Sequence, residues 1–185
     1  MGEPGRPQQL VAAARDLANE SGSAAFTVAQ LTGRAGLSLK AFYACFQGKD
    51  DLLLALLAED SRLGADALVA RLGDRVGDDA LRAYVSELFD MVAIPGAIGY
   101  AGVLVREHRR LTELHSDELR DALAPLVDLL ASYIESDDPK RDARTMFAVL
   151  LDGIADVVVG RAPDAYELAI YLTNFCVSGI GGTPQ

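Results

Sequence analysis

Phe26-Thr27-Val28-Ala29-Gln30-Leu31 and Leu37-Ser38-Leu39-Lys40-Ala41-Phe42 carry the same helix-entry device, with Gly36 between them. In each, a hydroxyl residue stands where it caps the backbone amides of a first helical turn, and a hydrophobic pair brackets the cap as a staple. Gln30, three residues beyond Thr27, completes a capping box. Gly36 offers the left-handed conformation that ends a helix cheaply, and Ala35 beside it lets the next helix pack close. Residues 26–52 therefore read as two short helices around a tight glycine turn, followed by the start of a third. That order is a helix-turn-helix.

The second of these helices, roughly Leu39 to Phe46, places Phe42 and Phe46 four apart on an inward face. Leu39, Lys40, Tyr43 and Ala44 fall on the other side, which suits a major groove. Gly48-Lys49-Asp50-Asp51 then opens a long helix. Two aspartates suit the positive start of a helix, whereas a lysine there is unfavourable unless an external anion such as DNA phosphate answers it.

These residues resemble the TetR family of bacterial transcriptional regulators over about residues 8 to 57, through Phe26-Thr27-Val28, Leu31, Ala35-Gly36-Leu37-Ser38, Phe42-Tyr43, Phe46 and Lys49 to Leu52. The resemblance implies that Tyr43 and Lys49 touch phosphates, that the helix start at Thr27 sits on the DNA backbone, and that Leu39, Lys40 and Ala41 face bases. Val28 and Ser38, at the two helix starts, complete the expected DNA-binding set. The chain departs from the commoner pattern at Phe42, where Leu is usual, and at Ala44-Cys45, which replace an aromatic or histidine pair.

A formal net charge of -10 is unusual for a nucleic-acid binder. Its distribution explains part of this. Residues 1–50 carry Arg6, Arg15, Arg34, Lys40 and Lys49 against Glu3, Asp16, Glu20 and Asp50, a balance of +1, so residues 51–185 carry -11. Binding is then expected to rely on amide and hydroxyl contacts, to need two copies of the domain, and to weaken with salt.

Pro7 and the spacing of Leu10, Val11, Ala14, Leu17 and Ala18 give a support helix ending near Ser21-Gly22. After Lys49 one long helix runs to about Leu72. Further helices are expected from Asp79 to Ala93, from a glycine-rich corner at Pro95 to Gly102 up to about Arg110, from a Ser116 cap to Ile134 with a kink at Pro125, from Asp138-Pro139 to Gly160, and from Pro163-Asp164 onward. No segment alternates with period two. The expected architecture is all-α with about nine helices: a helix-turn-helix domain over residues 1–50 and a helical effector-binding and dimerisation bundle over residues 51–185.

The last two helices are apolar over more than one face, through Ala148, Val149, Ala155 and Val159 in the first and Leu168, Tyr171, Leu172, Phe175, Cys176 and Ile180 in the second. Gly153 in mid-helix points to the close approach of another helix. A homodimer through these helices is expected, which would set two recognition helices about one DNA turn, roughly 34 Å, or a multiple apart on a palindromic operator.

A domain without catalytic motifs joined to a DNA reader has the layout of a sensor. The resemblance implies a small-molecule pocket among the middle helices, and Phe89, Met91, Tyr100, Val103, Tyr133 and Phe147 are its expected lining for an apolar or amphipathic effector. The polar cluster Arg106, Glu107, His108, Glu113, His115, Asp117 and Glu118 reads as a solvated helix end rather than a metal site, since its two histidines lie across a helix break. Cys45 and Cys176 form no metal-ligand pattern, and no nucleophile motif or phosphate loop is present, so neither cofactor nor catalysis is expected. With no secretory signal and no run of about 20 apolar residues, a cytoplasmic protein without membrane contact is expected. The expected function is a dimeric, ligand-released repressor. Two alternatives stay open: a helical module that has lost DNA recognition and acts through protein contacts, or a small-molecule-binding protein or enzyme using the C-terminal part.

Overall fold

Gly22 (φ 63°) and Gly36 (φ 66°) both occupy the left-handed region and end the first two helices of the chain. The computed structural model describes residues 5–94, 97–162 and 164–179. Pro95 and Gly96 of the expected corner, Pro163 and Ile180 lie outside the described residues. Among the described residues there are nine α-helices and no strand: α1 (Arg6–Ser21), α2 (Val28–Ala35), α3 (Leu39–Cys45), α4 (Lys49–Leu72), α5 (Gly77–Ala93), α6 (Ala97–Leu114), α7 (Ser116–Ala131), α8 (Pro139–Val158) and α9 (Ala165–Gly179). The all-α architecture is as expected. None of these helices alone is long and apolar enough to cross a membrane.

Two hydrophobic cores organise the helices. The first gathers α1 to α3 around Leu10, Leu31 and Phe42 and takes in Leu52, Leu53, Leu56 and Leu57 of α4; Val103, Leu111 and Leu119 from α6 and α7 close it. The second collects Leu68 and Leu72 of α4 with α5, the end of α7, α8 and α9. Helix α4 thus belongs to both cores, and a boundary after residue 50 falls inside it.

Three local features differ from expectation, each for a packing reason. Helix α6 runs on to Leu114, and Gly99 and Gly102 lie within it rather than in a corner. A Cβ at Gly102 would meet Val158 Cγ1 of α8 at 2.7 Å, so the glycine lets two helices touch. The N-cap of α7 is His115, not Ser116; its side chain turns toward Asp50 instead, at 3.5 Å. The close approach at Gly153 comes from within the chain: an added Cβ would lie 2.5 Å from Leu172 Cδ1 of α9 and 3.2 Å from Phe89 Cζ of α5.

Candidate nucleic-acid interface and effector cavity

The Thr27 hydroxyl accepts from the Gln30 amide at 3.2 Å, and the Gln30 side chain accepts from the Thr27 amide at 2.8 Å, closing the capping box that starts α2. At the turn, the Leu37 amide donates to the Thr32 carbonyl at 2.9 Å, and Ser38 then caps α3 by accepting from the Ala41 amide at 3.1 Å. Both staples form, with Phe26, Leu31 and Phe42 buried and Leu37 half-buried. Phe42 is fully buried and stacks obliquely on Phe46 with 5.9 Å between ring centres, which fixes how α3 is rotated. Truncating such a residue to Ala costs about 3–5 kcal/mol.

This rotation decides what α3 shows to solvent. Leu39 is 50 % exposed and Tyr43 61 %, with Lys40 beside them and Ala41 half-buried. Thr27 and Ser38 are exposed at the helix starts, with Val28 half-buried. Seven of the eight expected DNA-binding residues are thus exposed or half-buried along α2, the turn and α3.

Lys49 is held differently. Its ammonium donates to the Ala24 carbonyl and lies 4.7 Å from the centre of the Phe26 ring, and burial lowers its pKa. The chain itself thus answers the mismatch of a cation at a helix start. Arg15 and Arg34 are also engaged: Glu59 and Asp60 take Arg15 at 2.8 and 2.7 Å, and Glu20 takes Arg34 through two hydrogen bonds of 2.7 and 2.6 Å. Lys40 and Arg6 are the cations of this region without a side-chain or carbonyl partner among the described residues.

Helix α6 adds further polar links between this unit and the rest of the chain. Arg106 donates to the Gly22 carbonyl at the end of α1 at 2.7 Å, and Arg110 makes two hydrogen bonds to Asp50 at 2.6 and 3.1 Å. These bonds from Arg110 hold the Asp50 carboxyl below the usual carboxylate range. Tyr100 reaches Asp60, which also binds Arg15. Of the cluster that reads as a solvated helix end in sequence, Glu113, Asp117 and Glu118 are exposed, while Arg106 and His115 link α6 and the start of α7 to α1 and α4. No group of three His, Cys, Asp or Glu side chains suited to a metal ion gathers among the described residues.

A cavity of about 160 Å³ lies between α4, α5, α6, α7 and α8. Each helix contributes one face: Leu57, Asp60, Ser61 and Gly64 from α4, Leu88, Met91 and Val92 from α5, Ala101, Leu104, Val105 and His108 from α6, Leu123 and Leu126 from α7, and Phe147, Leu151 and Ile154 from α8. Of the six expected lining residues, Met91 and Phe147 are here. Phe89 is buried against Gly153, Val103 belongs to the first core, Tyr133 packs on the second, and Tyr100 is tied to Asp60. The i, i+3, i+4, i+7 spacing that joins His108 to Ala101, Leu104 and Val105 is the signal that could have placed it in the lining. Burial, reinforced by Arg109, lowers the pKa of His108 and favours its neutral form.

Helix α9 leaves a stripe of large apolar residues in solvent. Tyr166, Ile170, Tyr171 and Phe175 are exposed, with the last two rings stacked at 6.5 Å, while Ala169, Leu172 and Cys176 fill the second core. Val159 at the end of α8 is exposed as well.

Residues 10–56 match the family model of the bacterial regulatory proteins of the TetR family. No curated protein matches the chain by sequence. Among solved structures, the transcriptional regulator FadR from Bacillus subtilis, in complex with stearoyl-CoA, aligns at a TM-score of 0.73 and 19 % identity, over 94 % of this chain and 98 % of that one. A TetR transcriptional regulator from Rhodococcus sp. RHA1 aligns at 0.75 and 15 % identity, over 92 % and 94 %. Reduced NemR from E. coli aligns at 0.68 and 19 %, over 97 % and 98 %. At these identities the likeness shows the fold. The helix-turn-helix of residues 10–56 is thus similar to that of the TetR family of bacterial regulators, and nearly the whole chain shares the fold of solved transcriptional regulators.

Proposed function

We propose that the protein is a dimeric, ligand-responsive repressor that occupies a palindromic operator in the cytoplasm and is released by a small effector. The observation that carries the DNA reading is the rotation of α3, which buries Phe42 and presents Leu39, Lys40 and Tyr43 outward between two capped helix starts. Leu39 and Ala41 suit thymine methyl groups, Lys40 suits a guanine edge, and Thr27, Ser38 and Tyr43 supply hydroxyls for phosphates. Lys49 reaches phosphate by leaving the Ala24 carbonyl. Residues 1–50 act as the reader and residues 51–185 as the sensing and pairing part.

With so few free cations one copy binds weakly, and the α9 stripe supports pairing of two. An exposed patch of two tyrosines, an isoleucine and a phenylalanine is larger than scattered surface apolar residues require. The cavity between α4 and α8 supports the sensor reading, since an effector acts only if it prefers the conformation that fits DNA poorly. The FadR structure carries stearoyl-CoA, so a chain of this fold accommodates an amphipathic molecule.

Selection of bound sequences from a random pool, at two salt concentrations, tests the reading. The expected product is a palindrome whose half-sites lie about one turn, roughly 34 Å, or a multiple apart. Failure to enrich any palindromic, salt-sensitive site with the ligand-free protein would sink it. The scarcity of free cations on the reader favours one second reading, a module acting through protein contacts, and that outcome would support it.

A further inference from the structure

His108 borders three voids at once: the inner cavity, a cleft of about 350 Å³ between α7 and α8, and a cleft of about 280 Å³ between α6 and α8. The inner cavity and the α7–α8 cleft also share Leu123, Phe147 and Leu151, so they abut along one apolar wall. The two clefts differ in charge. At the α6–α8 mouth Arg109 faces Asp152 at 3.9 Å with Glu113 nearby, and the charges largely cancel. The α7–α8 mouth carries Arg120, Lys140 and Arg144 against Asp121 and Asp128. Arg120 is held by Asp117 at 2.6 Å, but Lys140 and Arg144 have no partner among the described residues.

That pair runs against the rest of the molecule. The chain has 27 acidic residues for 17 basic ones, so a free cation has many carboxylates to choose from. Lys140 and Arg144 are also like charges four apart on α8, and Lys140 lies in its first turn, where the helix dipole disfavours a cation. Each of these is unfavourable in the empty protein and favourable once an anion sits between them. An independent sign comes from inside the cavity. Ser61 is 2 % exposed, lines the cavity, and its Oγ has no hydrogen-bond partner, a hydroxyl left for an occupant.

We propose, on the sensor reading above, that the effector is an amphipathic anion whose apolar body fills the α4–α8 cavity, passes His108, and places a carboxylate or phosphate at the α7–α8 mouth against Lys140 and Arg144. The inner volume resembles the apolar cavities of about 150 Å³ that accept a benzene ring, so an aryl or short alkyl body fits, with the remainder in the cleft.

Octanoate, octyl phosphate, octanol and octylamine, each titrated into the full chain by calorimetry, separate the possibilities. At least one of the two anions is expected to bind about tenfold or more tighter than octanol and octylamine. The tighter anion tells carboxylate from phosphate. Lys140→Ala combined with Arg144→Ala, both on the surface, should weaken the anion about tenfold and leave octanol unchanged. Equal binding of octanol and both anions, or a preference for octylamine, overturns the charge assignment and leaves the sensor reading standing. If none of the four binds, both fall, while operator binding by the ligand-free protein remains a separate measurement.

Discussion

Tyr100 donates a hydrogen bond of 2.5 Å to Asp60, a carboxylate that borders the cavity between α4 and α8 and also accepts from Arg15 at 2.7 and 3.0 Å. One side chain of α4 therefore joins α1 of the reader, α6 and the cavity wall. Burial raises the phenol's pKa, with the charge of Asp60 adding to it, so Tyr100 keeps its proton. Tyr100→Phe removes the donor with little change in volume and is expected to cost about 1–3 kcal/mol, read as a lower urea midpoint at unchanged slope. An unchanged midpoint would mean that Arg15 alone holds Asp60.

Two helical glycines should respond in opposite directions. Gly64 borders the cavity, and a Cβ there would stand 3.5 Å from Leu126 Cδ2, an ordinary contact. Gly64→Ala should stabilise the chain by up to about 1 kcal/mol through helix propensity, while narrowing the cavity and weakening effector binding. Gly153→Ala instead meets Leu172 and Phe89 and should destabilise by about 1–2 kcal/mol, as overpacked sites do. Thermal denaturation of both variants checks the signs, and a stabilised Gly153→Ala protein would show that α9 shifts freely.

On DNA, Lys40→Ala is expected to cost about 1–3 kcal/mol and to relax sequence preference, whereas Tyr43→Phe should cost about 0.5–1.5 kcal/mol at every site alike. Lys49→Ala tests whether that ammonium leaves the Ala24 carbonyl on binding. If it does, the variant binds all sequences more weakly and the salt dependence falls by about one unit of slope. An unchanged slope would keep Lys49 as an internal brace.

Acid should loosen the seam between α6 and α4. The Asp50 carboxyl, hydrogen-bonded by Arg110, titrates below its ordinary value of 3.8. The folded state therefore binds fewer protons than the unfolded one there, so the contribution is complete above that value and fades as pH falls through the lowered one. Melting curves of the wild type and Asp50→Asn should differ at pH 7 and converge as the pH drops below 3.8. A constant difference across that range would show that the Asp50 charge contributes nothing to the seam.

The reader was legible because its rules are local. Thr27, Gln30, Gly36, Ser38 and the two staples act within a few residues, so their spacing alone specifies caps, turn and the rotation of α3. The cavity obeys no such rule. Its wall is built from five helices, and periodicity marks a face without naming what lies opposite. Phe89 and Met91 sit on the same helix two residues apart, yet one packs on Gly153 and the other borders the cavity. Arg106 and Arg110 were hidden for a related reason: a basic turn on α6 looks solvated until α1 and the start of α4 are seen beside it.

Helix α4 threads both cores and meets the cavity at its middle. At 1.5 Å per residue its 24 residues form a rod of about 36 Å. Anchored at Leu72 in the second core, such a rod is a lever: a tilt of about 5° moves its far end by about 3 Å, comparable to one base-pair step. On the sensor reading proposed above, a wedge no larger than an aromatic ring, pressed against Asp60 and Ser61, would be enough to carry a reading head from one rung of the DNA ladder toward the next.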